Sequence, residues 1–289
     1  MPYLKNVYIE AGNSVTSIPS GTFSNSSVEY IQFENLTELE TLDGVTNTKL
    51  KGDIDLSKTK LKTIKSSAFS GCSSLTNVAI EDRTTNLEFG GDVFNKCPLD
   101  SVYIGGKING TPFSVNKSLR SVAFANNVDS IYAEEFYGCS NLKNVAMGDA
   151  VSSIGYQAFS GCSSLASFTF ASAMKTIGGK AFSGCTSMTS LISLATTPPA
   201  CGNLALDDID KWSCVLKVPE SSISAYQAAD GWKEFFFIES LPTAITEVTE
   251  DENLRNATDV YTIGGMKVTN SGKLAKGIYI VDGKKVIVD

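Results

Sequence analysis

The sequence predicts an α/β solenoid that is predominantly β: a right-handed stack of coils with a parallel sheet along one face, plus a small C-terminal β-hairpin module. Three observations carry this reading. Near-identical phrases recur, AFSGCSSL at 68–75 and again at 158–165, and AFSGCTSM at 181–188. Alternating apolar segments of the form L-x-x-V-x-I accompany them. Their central residues are Val7, Ile31, Ile54, Val78, Val102, Val122, Val145, Phe168 and Leu191, at intervals of 24, 23, 24, 24, 20, 23, 23 and 23. Self-similarity at a fixed period of about 20–50 residues is the signature of a solenoid or related array. Finally, the last thirty or so residues carry two hairpin turn signals, Gly264-Gly265 and Asp282-Gly283, between β-rich runs.

Residues 1–196 make about nine coils, the first truncated. In the segment Leu75 to Ile80, Val78 and Ile80 alternate inward while Asn77, Ala79 and Glu81 face out, the period of a half-buried strand. Ile154 with Phe159 marks the return leg of a coil. One coil buries nothing alone, so the stack is stable only as an array. Neighbouring strands should lie ~4.8 Å apart, and parallel crossovers are right-handed in about 98% of cases. Phe23 to Val28 lacks the cysteine, and the coil at Val45 lacks both Phe and Cys. The step from Val102 to Val122 is three short of the mean of 23, which predicts a trimmed convex turn.

Thr197-Pro-Pro-Ala200 stops the pattern, and residues 197–240 form a C-terminal cap. Within it Val215 to Val218 is a closing strand. Ser221 to Ala229 is a short helix, capped by Ser221 or Ser222 and ended by Gly231. Without a cap the last coil would expose its apolar face and an unpaired edge. Residues 241–258, with Glu247, Glu250, Asp251 and Glu252, read as an acidic solvated linker rather than a cation site. Residues 259–289 form the β tail. About 31 residues bury too little for a self-sufficient core, so the tail should dock on the cap or on an external partner.

Ile154 to Leu165 and Ile177 to Met188, each an I-x-x-x-A-F-x-G-C-x-x-L/M phrase, together with the L-x-x-V-x-I strands, resemble the BspA-like, or Treponema pallidum-type, leucine-rich repeats of bacterial surface proteins. The resemblance covers roughly residues 4–194. VPESSISAYQAADGWKEF (218–235) is similar to the C-terminal cap common to that family. The resemblance implies a secreted or cell-surface protein that binds a protein of the host matrix or a bacterial surface. VYTIGGMKV and KGIYIVDGKKVIV are similar to the tails of many surface proteins of oral and gut anaerobes, where some serve as sorting signals. No basic segment followed by an apolar one precedes Tyr3, so no signal peptide is visible. A start inside a coil predicts that an export segment and further repeats precede Met1.

Composition excludes several functions. Lys+Arg 24 against Asp+Glu 31 gives a net charge of −7, without the basic surplus that nucleic acid requires. No uninterrupted apolar stretch exceeds four residues, as in Phe235 to Ile238, far too short to span a bilayer. With no histidine, Ser-His-Asp and Cys-His catalysis and His-ligated metal are out. No cofactor is expected. Cys72, Cys97, Cys139, Cys162 and Cys185 share one repeat position and read as a ladder of buried thiols. A Ser at Cys162 would then lack a buried partner and cost roughly 1–3 kcal/mol. Cys201 and Cys214, thirteen apart across the cap, leave a disulfide open in the extracytoplasmic setting that the resemblance implies.

What remains is the exposed sheet face. One column runs Asn6, Tyr30, Asp53, Asn77, Ser101, Ser121, Asn144, Ser167, Ser190. The next runs Tyr8, Gln32, Asp55, Ala79, Tyr103, Ala123, Ala146, Thr169, Ile192. A third begins Glu10, Glu34, Ser57, Glu81. Acidic and aromatic residues gather in the first five coils. Tyr8, Tyr30, Gln32, Glu34, Asp53, Asp55, Glu81 and Tyr103 are therefore the candidate partner-binding residues, for protein or glycan. A carbohydrate-active enzyme using convergent carboxylates among Glu34, Asp53, Asp55 and Glu81 is the alternative.

Overall fold

In the computed structural model, residues 3–56, 58–241, 260–262, 277–281 and 284–288 are described, without the side chains of residue 53, of residues 81–85 and of the last three segments. The chain winds as a parallel β-solenoid of about ten turns with little helix. The column register holds: Asp53 pairs with Asn77, Asn77 with Ser101, Ser101 with Ser121, Ser121 with Asn144, and Ser167 with Ser190. At the N-terminal end Asn6 pairs with Tyr30. Beyond the nine repeat strands, the expected closing strand Val215–Val218 adds a tenth and Phe237–Ser240 pairs parallel outside it, so the sheet continues through the cap. The tail strands Val260–Thr262, Gly277–Val281 and Lys284–Val288 form an antiparallel sheet. Its expected turns, Gly264-Gly265 and Asp282-Gly283, and the linker 242–258 lie outside the described residues.

The return legs form a second ladder of two-residue strands, from Ser17–Ile18 through Thr41–Leu42 to Thr63–Ile64, and from Ser130–Ile131 to Ala200–Cys201. Between these runs the strands Leu75–Phe89 and Ser101–Asn109 continue from one face to the other. This corrects the trimmed-turn expectation. Ile108 follows Val102 by six residues, whereas Ile154 follows Val145 by nine, yet Phe113 follows Ile108 by the usual five. The missing residues belong to the link between the two legs, which the strand Ser101–Asn109 spans.

Inside the coils, Phe69, Phe94, Phe113, Phe136, Phe159 and Phe182 stack in one continuous column. Successive ring centroids are 5.4–5.8 Å apart and the planes lie within 18° of parallel. The period sets this directly, because one residue per coil at a fixed phase falls above its predecessor. The phrase also needs a left-handed residue after the Phe. Gly161 has φ +77°, and a Cβ there would sit 3.4 Å from the Cα of Gly138 in the neighbouring coil.

The thiol ladder is buried, and each thiol has a partner. Cys97, Cys139, Cys162 and Cys185 donate to the carbonyls of Phe69, Phe113, Phe136 and Phe159, one coil earlier, at 2.9–3.3 Å. A Ser at Cys162 therefore has an acceptor within reach, which lowers the expected cost to about 1 kcal/mol. Burial pushes the Cys139 and Cys185 thiols up to about 12. Cys201 lies on a return-leg strand and Cys214 leads into the opposite sheet, and all seven thiols are free. Native protein at pH 8 should thus release at most one equivalent to a thiol reagent, from half-buried Cys201, and seven in denaturant. Rapid native labelling of the ladder would contradict the packing.

The cap plugs the last coil. Trp232 is buried edge-on against Phe170 at 5.5 Å and donates through Nε1 to the Pro199 carbonyl at 2.8 Å. The Tyr226 hydroxyl donates to the Ala195 carbonyl at 3.0 Å and hydrogen-bonds Ser193 at 2.6 Å. The expected helix is Ile223–Ala228, preceded by a 3-10 turn at Glu220–Ser222. Ser222 precedes the helix without capping it. Its hydroxyl instead donates to the Thr196 carbonyl at 2.8 Å, tying the helix to the last coil.

Candidate functional site

The exposed face of the sheet is built by period-two alternation over the Phe column, so its side chains are set by register. Tyr8 is 72% exposed and Tyr30 38%. Their rings lie 5.9 Å apart and tilted by 52°. The Tyr30 hydroxyl donates to Glu34 Oε1 at 3.0 Å. Burial first, and then the Glu34 carboxylate, hold the Tyr30 phenol above its usual range. Tyr8, Tyr30 and Glu34 therefore form one polar-aromatic cluster on the first two coils.

Two candidates there differ from expectation. Glu34 does not continue a sheet column, because the chain curls at Phe33–Asn35 into a 3-10 turn. The Asn35 side chain drives this, donating back to the Ile9 carbonyl at 2.7 Å while Leu36 N–H closes on the Phe33 carbonyl. Gln32 is half-buried, and its side-chain oxygen accepts the Ile9 N–H at 3.2 Å. It is a clamp between the first two coils, with its carbonyl oxygen already engaged.

The remaining candidates lie further along. Asp55 pairs with Ala79 and Ala79 with Tyr103, so the strand of Asp55 lies two strands, about 10 Å, from that of Tyr103. Tyr103 is half-buried and packs against the core, flanked in register by Ala79 and Ala123. The side chains of Asp53 and Glu81 lie outside the described residues, although their backbones are in strands. Along the edge of the first coils, Glu29, Glu38 and Glu40 pair with Lys51, Lys60 and Lys62 at 2.7–2.8 Å. These lysines offset much of the local acidity, and such exposed pairs add only about 0–1 kcal/mol each to stability.

Two features escaped the sequence reading. At the C-terminal end Trp212, Phe236 and Phe237 are 75%, 64% and 43% exposed. Trp212 meets Phe236 at 5.4 Å, and Phe236 meets Phe237 at 4.9 Å. The run of three phenylalanines from Phe235 was the available signal, since only one of them is needed to seal the cap. On the convex side a groove of about 440 Å³ is lined by Lys96, Val115, Asn116 and Lys117 among others. Lys96 (φ 61°) and Val115 (φ 54°) stand where other coils have the left-handed glycine, a departure legible in the phrases FNKC and FSVN.

The sequence matches the BspA type leucine-rich repeat region, in six copies, over residues 3–111 and 106–198. No curated protein matches it. Among solved structures, it is similar to a leucine-rich repeat protein from Bacteroides ovatus, at 18% identity over 83% of this chain and 84% of that one, with a TM-score of 0.41. A leucine-rich repeat protein from Eubacterium ventriosum is 19% identical over 86% of this chain and 68% of the other, with a TM-score of 0.40. The T. pallidum leucine-rich repeat protein is 18% identical over 67% of this chain and 83% of its own, with a TM-score of 0.34.

Proposed function

Because this chain belongs to the BspA-type leucine-rich repeat family, we propose that it is a non-enzymatic interaction module, secreted or held at the cell surface, that binds a host or bacterial protein through the exposed face of its sheet. The observation that carries this reading is the Tyr8–Tyr30–Glu34 cluster, in which Tyr30 stands in the sheet, Tyr8 follows the first strand and Glu34 sits in the 3-10 turn beside them. It offers two exposed aromatic rings beside a carboxylate, all in a backbone fixed by its neighbours. Tyrosine supplies contact area at little rotamer cost, and acidic residues select a basic or polar partner. A carbohydrate-active reading needs two convergent carboxylates. The 3-10 turn at Phe33–Asn35 favours protein recognition over it, since it takes Glu34 out of the sheet columns that the other three acids were expected to share.

The test uses the full chain against immobilised host-matrix proteins and whole bacterial cells. Tyr8→Ala with Tyr30→Ala should weaken binding at least about tenfold, or about 1.4 kcal/mol, with an unchanged circular dichroism spectrum. Tyr103→Ala should matter less, because its ring is half-buried. Raising ionic strength from about 0.1 M to about 1 M shortens the screening length from about 10 Å to about 3 Å and should weaken binding further. Equal binding by the double variant would move the site off this face.

A further inference from the structure

The solenoid ends on an apolar surface. Phe237–Ser240 is the terminal strand of its sheet, and Trp212, Phe236 and Phe237 form a contiguous exposed aromatic patch beside it. Three exposed aromatic side chains in a row, each packed on the next at a sheet edge, are a place where something binds.

The chain itself carries a matching element. Along the tail strands the register puts Tyr261, Ile278, Ile280 and Ile287 at one set of alternate positions. It puts Val260, Tyr279, Val281, Val286 and Val288 at the other. A three-stranded sheet with apolar residues in both sets cannot satisfy itself and needs cover. Charge also matches. Residues 197–241 hold seven acidic and three basic residues, a net −4, while residues 259–289 hold five lysines against three aspartates, a net +2. Eighteen residues separate Leu241 from Val260. At most about 3.5 Å per residue gives a reach of about 60 Å, far more than docking on the adjacent end demands. Tethering at that length gives an effective concentration near the millimolar range. A second copy of the same end, bringing −4 against −4, is the poorer occupant.

We propose that the tail sheet formed by Val260–Thr262, Gly277–Val281 and Lys284–Val288 docks on the solenoid end over Trp212, Phe236 and Phe237, closing the terminal strand. Zero-length carbodiimide cross-linking of the dilute full chain, as an equal mixture of light and heavy-nitrogen protein, tests it. Peptides containing Lys276, Lys284 or Lys285 should couple to Asp207, Glu234 or Glu239, with both partners of one isotope. Trp212→Ala with Phe236→Ala should cut that yield by about tenfold, the loss of about 1.4 kcal/mol of contact. Mixed-isotope pairs would assign the patch to a second copy and overturn the proposal. So would tail cross-links scattered over other surfaces, no tail-to-cap cross-links, or a yield that the double variant leaves unchanged.

Discussion

Phe136→Ala is expected to destabilise the solenoid by about 3–5 kcal/mol, the usual cost of emptying a buried aromatic site. Its ring is fully buried, stacked at 5.8 Å on Phe113 and 5.4 Å on Phe159, with Phe124 edge-on at 5.9 Å. Removing it takes contacts from three rings at once. The interior of a coil is close-packed and its backbone is pinned by ladders to the coils on both sides, so the site can collapse little. A solenoid is coupled mainly between neighbours, and a central gap should therefore also weaken cooperativity. Urea unfolding followed by circular dichroism should show a lower midpoint and a broader or two-step transition. Phe33, tilted at 6.3 Å from Phe69 near the other end, should cost less when replaced by Ala and should leave a single transition. A single Phe136→Ala transition shifted by less than about 1 kcal/mol would mean that the Phe column is not what joins the coils.

Part of that column was legible in the sequence, where Phe136, Phe159 and Phe182 recur every 23 residues, because a solenoid turns sequence period into contact. Cys162 bonds the coil containing Phe136, and Asn144 lies beside Ser121, each at a separation near one period. Alternation then decided inside from outside, and the face columns followed. Period and alternation say nothing about which polar atom meets which. The clamp of Gln32 on Ile9, the curl set by Asn35 and the carbonyl partner of each ladder thiol depend on ångström-scale reach that residue type does not encode. The link shortened between Val102 and Ile108 was visible as three missing residues, but its place in the coil was not. Repeats tolerate a deletion in either connection. The aromatic end patch was hidden for a different reason. A cap sequence is expected to be apolar, so an excess of phenylalanine there looks like more core.

Glu135 departs from the repeat most sharply and, among the described residues, sets the largest destabilisation expected as pH rises from 5 to 8. The residue before the stacked Phe is Ala68, Ala158 or Ala181 in the best-kept coils, each fully buried. In the coil of Phe136 it is a glutamate, 1% exposed. Its Oε2 accepts the Tyr132 N–H at 2.9 Å, and its Oε1 has no hydrogen-bond partner among the described residues. Burial pushes the carboxyl up to about 8, against a smaller opposing pull from that N–H. The folded state therefore holds a proton between about pH 4.5 and pH 8 that the unfolded chain has released, and stability must fall as pH rises through that window. The slope is about 1.4 kcal/mol per pH unit, so the chain should lose several kcal/mol between pH 5 and pH 8.5. Asp129 and Asp230, held below the usual carboxylate range by Lys107 and Lys233, act in the opposite sense, but only at pH values below that window. Glu135→Gln keeps the shape and removes the titration. Its stability should be nearly flat from pH 5 to about pH 7, where the Cys72 thiol, held low by its hydrogen bond with Cys97, begins to titrate, and should exceed that of the parent at the alkaline end. Glu135→Ala should behave likewise, less a small loss for the vacated volume. Urea midpoints across that range decide it: parallel pH profiles for the parent and Glu135→Gln would show that the carboxyl finds water or a partner in the folded state.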